Sequence, residues 1–416
     1  MITPAYGLTA TERVLPRLAL DWTTGLSQSG IDVVRAGLAT FVGSNGFIQS
    51  ASANTQRLDW STGTAGLLVE EARTNILVQS SQFNTTWTVS GTAAITVDQI
   101  ASPDNTVNSD LFRCGATSAS EVRQNNLSIA AGSHTFSLFV KKETSNFVVI
   151  QVFDVTTSSL QRRWFNISTG TVGSTSSLGA NVTLVSSDIK PSANGFYRVS
   201  ITVSLTSLTT AGRVSVFVSE TNGAFDGTAL SGIYLYGAQL EAGAFSTSYI
   251  PTTTTAVTRN ADLASMTGTN FSDWYNASEG SFAARFIFGN DKVGTRVALA
   301  SDGTSGNYVG VLGSTGGGTG PFFGVATGGV TQTTLPSPGA ITENTEYNVC
   351  GAYKTDDCVG AKNGEAFAVD ITSTIPTVNR LELGASAGTS FLNGHIMQVQ
   401  YWPMRLTNNE VRAFSK

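Results

Sequence analysis

The stretch Phe196-Tyr197-Arg198-Val199-Ser200-Ile201-Thr202-Val203-Ser204-Leu205 decides the fold class. Tyr197, Val199, Ile201, Val203 and Leu205 alternate strictly with Arg198, Ser200, Thr202 and Ser204. Successive side chains of a β-strand point to opposite faces, so this run reads as a strand with one buried and one wet face. Arg213–Ser219 repeats the pattern through Val214, Val216 and Val218, and Phe282, Ala284, Phe286 and Phe288 do so further on. His134–Lys142 and Phe147–Val155 are Phe- and Val-rich runs of the same kind. Between such runs stand Asn45-Gly46, Asn194-Gly195, Asn222-Gly223 and Lys362-Asn363-Gly364, turn residues that tolerate positive φ. The pattern predicts an all-β chain: two tandem β-sandwich or jelly-roll domains preceded by a small mixed N-terminal region. A helix is expected only at the end, where Thr407-Asn408-Asn409-Glu410 fits a capping box.

Composition narrows the function classes. Only 13% of the 416 residues are charged, about half the share in ordinary soluble domains. Lys plus Arg is 24 and Asp plus Glu is 29, a net charge of −5. An acidic, charge-poor chain lacks the electrostatic footprint of a nucleic-acid binder. No apolar run approaches the roughly 18 residues of a membrane span, and Met1–Tyr6 has neither a basic nor an apolar leader segment. The expected segments are 1–77, a mixed N-terminal region; 78–250, the first all-β domain; 251–265, a linker beginning at Pro251; and 266–416, the second all-β domain. Gly313–Gly320 reads as a mobile loop.

Chemistry-bearing residues are sparse. Glu365 and Asp370 have opposite strand parity, and Glu70-Glu71 and Asp356-Asp357 are adjacent, so none forms the same-face pair of a retaining glycosidase. A Ser-His-Asp site would have to use His134 or His395, and no Gly-x-Ser-x-Gly elbow occurs. His395 is expected to share a strand face with Met397, Val399 and Tyr401. No catalytic residue is assigned, and the chain is expected not to be an enzyme. Cys114, Cys350 and Cys358 are an odd set; a hairpin turn at Lys354–Asp357 would put Cys358 opposite Tyr353, out of bonding reach of Cys350, so free buried thiols are expected. No cofactor or metal site is assigned, although Asp98, Asp104, Asp291 and Asp302 leave room for a structural Ca²⁺. Trp87, Trp164, Trp274, Tyr275 and Trp402 are the candidates for stacking on sugar rings. Glu70, Glu71 and Arg73 form a rare charge cluster, read equally as a local surface group or as an ion-pairing device at the start of the jelly roll.

Three motifs carry a family resemblance. They are Gly66-Leu67-Leu68-Val69-Glu70-Glu71-Ala72-Arg73-Thr74-Asn75-Ile76-Leu77, followed by Ser80–Phe83 and Trp87; Asn194–Val199; and Gly237-Ala238-Gln239-Leu240-Glu241-Ala242-Gly243-Ala244-Phe245-Ser246-Thr247-Ser248-Tyr249-Ile250-Pro251-Thr252. Together with Arg35–Gly46 and Asn54–Asp59, this set resembles the tail-fibre and head-fibre (spike) proteins of tailed bacteriophages over about residues 20–260. The resemblance implies a carbohydrate-binding-module-like jelly roll and a virion structural protein assembled in the host bacterial cytoplasm. In such proteins residues 1–77 would attach or oligomerise and the sandwiches would adhere to host-surface glycan. The implied partners are further copies of the chain, as a homotrimer in the family's usual arrangement, other virion proteins and the glycan. Residues 270–416 resemble a laminin-G or concanavalin-A-like sandwich through Tyr347–Tyr353, Lys362–Gly364, Leu381–Gly384 and Phe391–Trp402. The alternatives are a capsid or tail decoration protein without a ligand and, more remotely, a glycan depolymerase.

Overall fold

The computed structural model describes residues 15–115, 120–289 and 294–416. They form an all-β chain of antiparallel sheets, divided into two compact units. One unit takes residues up to Arg35, Asn54–Glu71 and Ala261–Lys416; the other takes Ala36–Ala53 and Ala72–Asn260.

The Ala36–Ala53/Ala72–Asn260 unit is a jelly roll of two six-stranded sheets. The first runs Val182–Pro191, Tyr197–Leu205, Gly132–Lys142, Gly232–Ala242, Val107–Arg113, Ala94–Ala101. The second runs Thr171–Leu178, Ser159–Asn166, Phe147–Asp154, Thr209–Ser219, Glu121–Ile129, Thr88–Val89. Val199, Ile201, Val203 and Leu205 from one sheet meet Val214, Val216 and Val218 from the other in a single core. The period-two reading is therefore the packing pattern. Asn194 and Gly195 turn the chain into Tyr197–Leu205 at φ 55° and 74°, a left-handed pair that Asn and Gly reach at least cost.

The other unit is a sandwich of an eight-stranded and a seven-stranded sheet. Glu279–Ile287 lies between Glu346–Lys354 and Gly394–Trp402 in the larger sheet, and Arg296–Ser301 lies near the middle of the smaller one. Phe282, Ala284, Phe286 and Phe288 point into its core with Val297, Val309, Phe323 and Leu381. The closing helix Asn408–Phe414 has the expected box: Thr407 accepts from the Glu410 amide, and Glu410 reaches back to the Thr407 amide at 2.7 Å.

Among the described residues, 15–77 are not a separate body. Within the described part, Leu18–Asp21, Leu58–Asp59 and Gly66–Val69 are strands of the eight-stranded sheet, and Asp32–Val34 is an edge of the seven-stranded one. Strands of two to four residues cannot close a core alone; Leu18, Leu20, Leu67 and Val69 bury themselves in the larger sandwich instead. The stretch 251–265 is likewise more than a linker: Val257–Arg259 pairs with Arg73–Asn75, and Leu263–Thr267 is a sheet strand. Gly313–Gly320 forms a turn closed by Thr315 N–H to Thr319 O at 2.7 Å.

Candidate functional site

A groove of about 430 Å³ opens on the outer face of the eight-stranded sheet, within the roughly 300–1,000 Å³ of small-molecule sites. Strand parity builds it. Phe282, Ala284, Phe286, Tyr347, Val349, Val399 and Tyr401 go inward, so Ala283, Arg285, Asn348, Gln398 and Gln400 are left on the outer face. Register sets Gln398 and Asn348 on either side of Arg285, and Gln400 opposite the small Ala283. Beside them the closing helix presents Phe414, whose ring lies 4.6 Å from that of buried Trp402 and is 38% exposed.

Two polar pairs stand at the groove, and Lys416 also lines it. Gln398 Nε2 donates to Asp21 Oδ2 at 2.8 Å, and Arg285 Nη2 donates to Glu346 Oε2 at 2.8 Å. Partial burial would raise the Asp21 carboxyl, but hydrogen bonds from Thr23 and Gln398 and the charge of Arg285 hold it below its ordinary value. The hydrogen bond from Arg285 to Glu346 raises the guanidinium pKa against partial burial. In contrast, the side-chain amides of Asn348 and Gln400 have no partner among the described residues. Each amide supplies two donors and an acceptor with two lone pairs. Two unclaimed amides, a small-residue floor and an open aromatic ring suit a polyhydroxylated ligand.

None of these residues was singled out by sequence. The signal lay in the wet positions of strands whose apolar positions were read correctly. A β-bulge also hid part of it: Arg285 faces Gln398 while Phe286 faces Ile396, so Met397 is an extra residue. Ile396, Val399 and Tyr401 therefore enter the core. His395 does not share their face; His395 and Met397 lie against Gly66 instead. His395 Nε2 sits 2.9 Å from Asp59 Oδ1, and Ser61 Oγ lies 3.5 Å from the same nitrogen while donating to Asp59. A relay would need serine and carboxylate on different ring nitrogens. His134 is buried at its strand start, beside the Gly132 carbonyl.

The aromatic candidates are packing residues in position. Trp87, Trp164 and Trp274 are buried, and each indole N–H donates to a backbone carbonyl, of Gln79, Ala224 and Asn270 respectively. Trp402 is enclosed beneath the closing helix, and Tyr275 stacks on Phe271 at 4.6 Å. The rings of the four tryptophans leave no face for a sugar.

Glu70 is buried and bonded to Arg57 at 2.8 Å; the Glu71 amide donates to Asn393 Oδ1. Arg73 belongs to the jelly-roll unit, with its guanidinium 4.8 Å from the Phe245 ring centre. Among the Ca²⁺ candidates, Asp104 accepts from Ser102, Thr106, Asn108 and Tyr236, and Asp302 from Thr304 and Asn307. Asp98 donates its amide to Asp110, and Asp291 lies outside the described residues. No cluster of three metal-ligating side chains occurs among the described residues. The cysteines are free and buried. Cys350 faces Ala361 across the hairpin, and the same register sets Cys358 opposite Tyr353.

No family model and no curated protein matches the chain. Among solved structures, a domain of an extracellular arabinanase from Geobacillus stearothermophilus, in complex with arabinotriose, is 9% identical, with 42% of this chain and 84% of that domain covered and a TM-score of 0.28. A sialidase from Streptococcus pneumoniae is 13% identical, over 36% of this chain and 26% of its own, with a TM-score of 0.29. The enzymatically active domain of a tailspike of bacteriophage CBA120 is 10% identical, over 40% and 21%, with a TM-score of 0.25. This chain thus matches about a quarter or less of the sialidase and tailspike chains. Likenesses this distant carry no argument about substrate or reaction. Glycan hydrolases nonetheless stand among the neighbours, and the expectation that the chain is not an enzyme is withdrawn on that finding.

Proposed function

We propose that the chain is a fibre or spike subunit of a tailed-phage virion that holds host-surface glycan, with the groove of Asn348, Gln400 and Phe414 as the contact. The observation that carries the binding reading is the pair of unclaimed amides over Ala283, beside an open phenyl ring. The virion setting rests on the three fibre-like motifs. Weak single sites suffice in such a particle, because many copies act together. Assembly as a homo-oligomer, a trimer in the first instance, belongs to the same proposal.

The test is binding of the purified chain to immobilised lipopolysaccharide and capsule from the host. The double variant Asn348→Ala/Gln400→Ala is expected to bind about tenfold more weakly, the equivalent of roughly 1.4 kcal/mol, with an unchanged melting temperature. Reducing-end release is recorded in the same mixtures to report any hydrolysis. A folded protein that binds no host polysaccharide sinks the adhesion reading and favours a decoration protein. Sedimentation velocity tests the assembly, and a monomer at all concentrations counts against the fibre.

A further inference from the structure

The second sheet of the jelly roll turns Val148, Ile150, Val152, Val214, Val216 and Val218 into its core. Its other face carries the complementary positions. Register aligns Arg162, Gln151, Ser215 and Arg123 in one row across four adjacent strands. Arg213 sits two residues from Ser215, on the same face. This places three arginines together in a chain of net charge −5.

They share one carboxylate. Glu121 pairs with Arg123 and lies 3.9 Å from Arg213. Arg162 uses its Nε to donate to Gln151 Oε1 at 2.5 Å, and its terminal amines have no partner among the described residues. Arg213 donates no hydrogen bond to a described residue. Its guanidinium is carried on the Phe153 ring at 4.6 Å, as that of Arg162 is on Phe225 at 5.1 Å. Burial first, and then the neighbouring cations, lowers the pKa of Arg162 and Arg213, with Glu121 offsetting only part. The groups are thus held together at a cost. By contrast, Arg35 and Arg57, which are fully buried, are matched by Asp262 and Glu70.

We propose that this face binds the carboxylate groups of an acidic polysaccharide. Guanidinium forks grip carboxylates in two-point hydrogen bonds. Arg162 and Arg213 have donors to give and Arg123 extends the row, while Gln151 and Ser215 are buried among them, Gln151 holding the Arg162 Nε. The proposal concerns a second surface, independent of the Asn348–Gln400 groove.

Polygalacturonate is the probe, with dextran as the neutral control, both measured on the full chain. Binding to polygalacturonate and not to dextran is expected, falling at least tenfold between roughly 50 and 500 mM salt. Arg162→Gln/Arg213→Gln is expected to remove it, while Asn348→Ala/Gln400→Ala leaves it unchanged. Thr88→Glu, an exposed position opposite Arg123, adds a competing carboxylate without touching the core and is expected to weaken binding about tenfold. Equal binding to dextran, no binding to polygalacturonate, or indifference to Thr88→Glu overturns the proposal. Full displacement by an equal concentration of inorganic phosphate also overturns it, because the face would then serve a small free anion.

Discussion

Arg57 and Asp262 stand 205 positions apart in sequence and form a buried ion pair. Asp262 also accepts from Arg35 Nη1 at 2.7 Å and from the Glu70 amide at 3.0 Å, and Arg57 reaches Glu70 at 2.8 Å. The four residues come from three separate chain segments of one unit, each close to where the chain passes into or out of that unit. Burial opposes the Arg57 charge, but the two carboxylates outweigh it and raise its pKa.

Removing Asp262 should therefore be severe. Asp262→Ala takes from Arg35 and Arg57 the buried carboxylate they share, leaving Arg57 with Glu70, a loss of about 3–5 kcal/mol. Urea denaturation should show this as a lower midpoint for the unit that contains Asp262. An unchanged midpoint would mean that water solvates the site.

Gly243 tests the packing of Arg73. At φ 127°, a Cβ on Gly243 would lie 1.3 Å from Arg73 Nη1, whereas one on Gly46 would meet nothing within 4 Å. Gly46→Ala should cost only the left-handed backbone penalty of about 1–2 kcal/mol. Gly243→Ala should cost clearly more, because Arg73 must leave the Phe245 ring. Equal melting temperatures for the two variants would refute this.

Asp154 gives a pH signature. Burial raises its carboxyl, but hydrogen bonds from Thr157, Thr209, Asn181 and the Thr156 amide outweigh it and hold the folded pKa below 3.8. A depressed folded value stabilises the protein above the unfolded pKa of about 3.9 and is lost as pH falls through the folded value. Asp154→Asn should thus lower stability at pH 7 and flatten the decline below about pH 4. An acid limb as steep as wild type would sink the assignment.

The thiols should be silent in the native state. Burial pushes Cys114 up to about 11, and also raises Cys350 and Cys358. An aromatic disulfide reagent at roughly pH 8, below the ordinary thiol pKa of about 8.5, should titrate no thiol rapidly in native protein and three after unfolding. Rapid native labelling would show a core that opens readily.

Period-two alternation made the sandwiches legible, because Tyr197–Leu205 and Phe282–Phe288 encode their buried face in local order. The interleaving of the units was not legible. Leu18–Asp21 pairs with Gln398–Tyr401, and nothing local to four residues specifies a partner that far along the chain. The groove was hidden for a related reason. Asn348, Gln398 and Gln400 look like ordinary wet positions until register brings them beside Phe414. The aromatic residues pointed away from the groove because Trp87, Trp164, Trp274 and Trp402 are large enough to be what the cores are built around.

The interleaved chain also imposes an order of manufacture. The jelly roll has all its residues once Asn260 has emerged, but the larger sandwich still waits for 261–416. At about 5–20 residues per second, translation of that last stretch takes roughly 8–30 s. Throughout this interval the early strands Leu18–Asp21 and Gly66–Val69 have no sheet to join, and their apolar residues are open to chaperones or to neighbouring nascent chains.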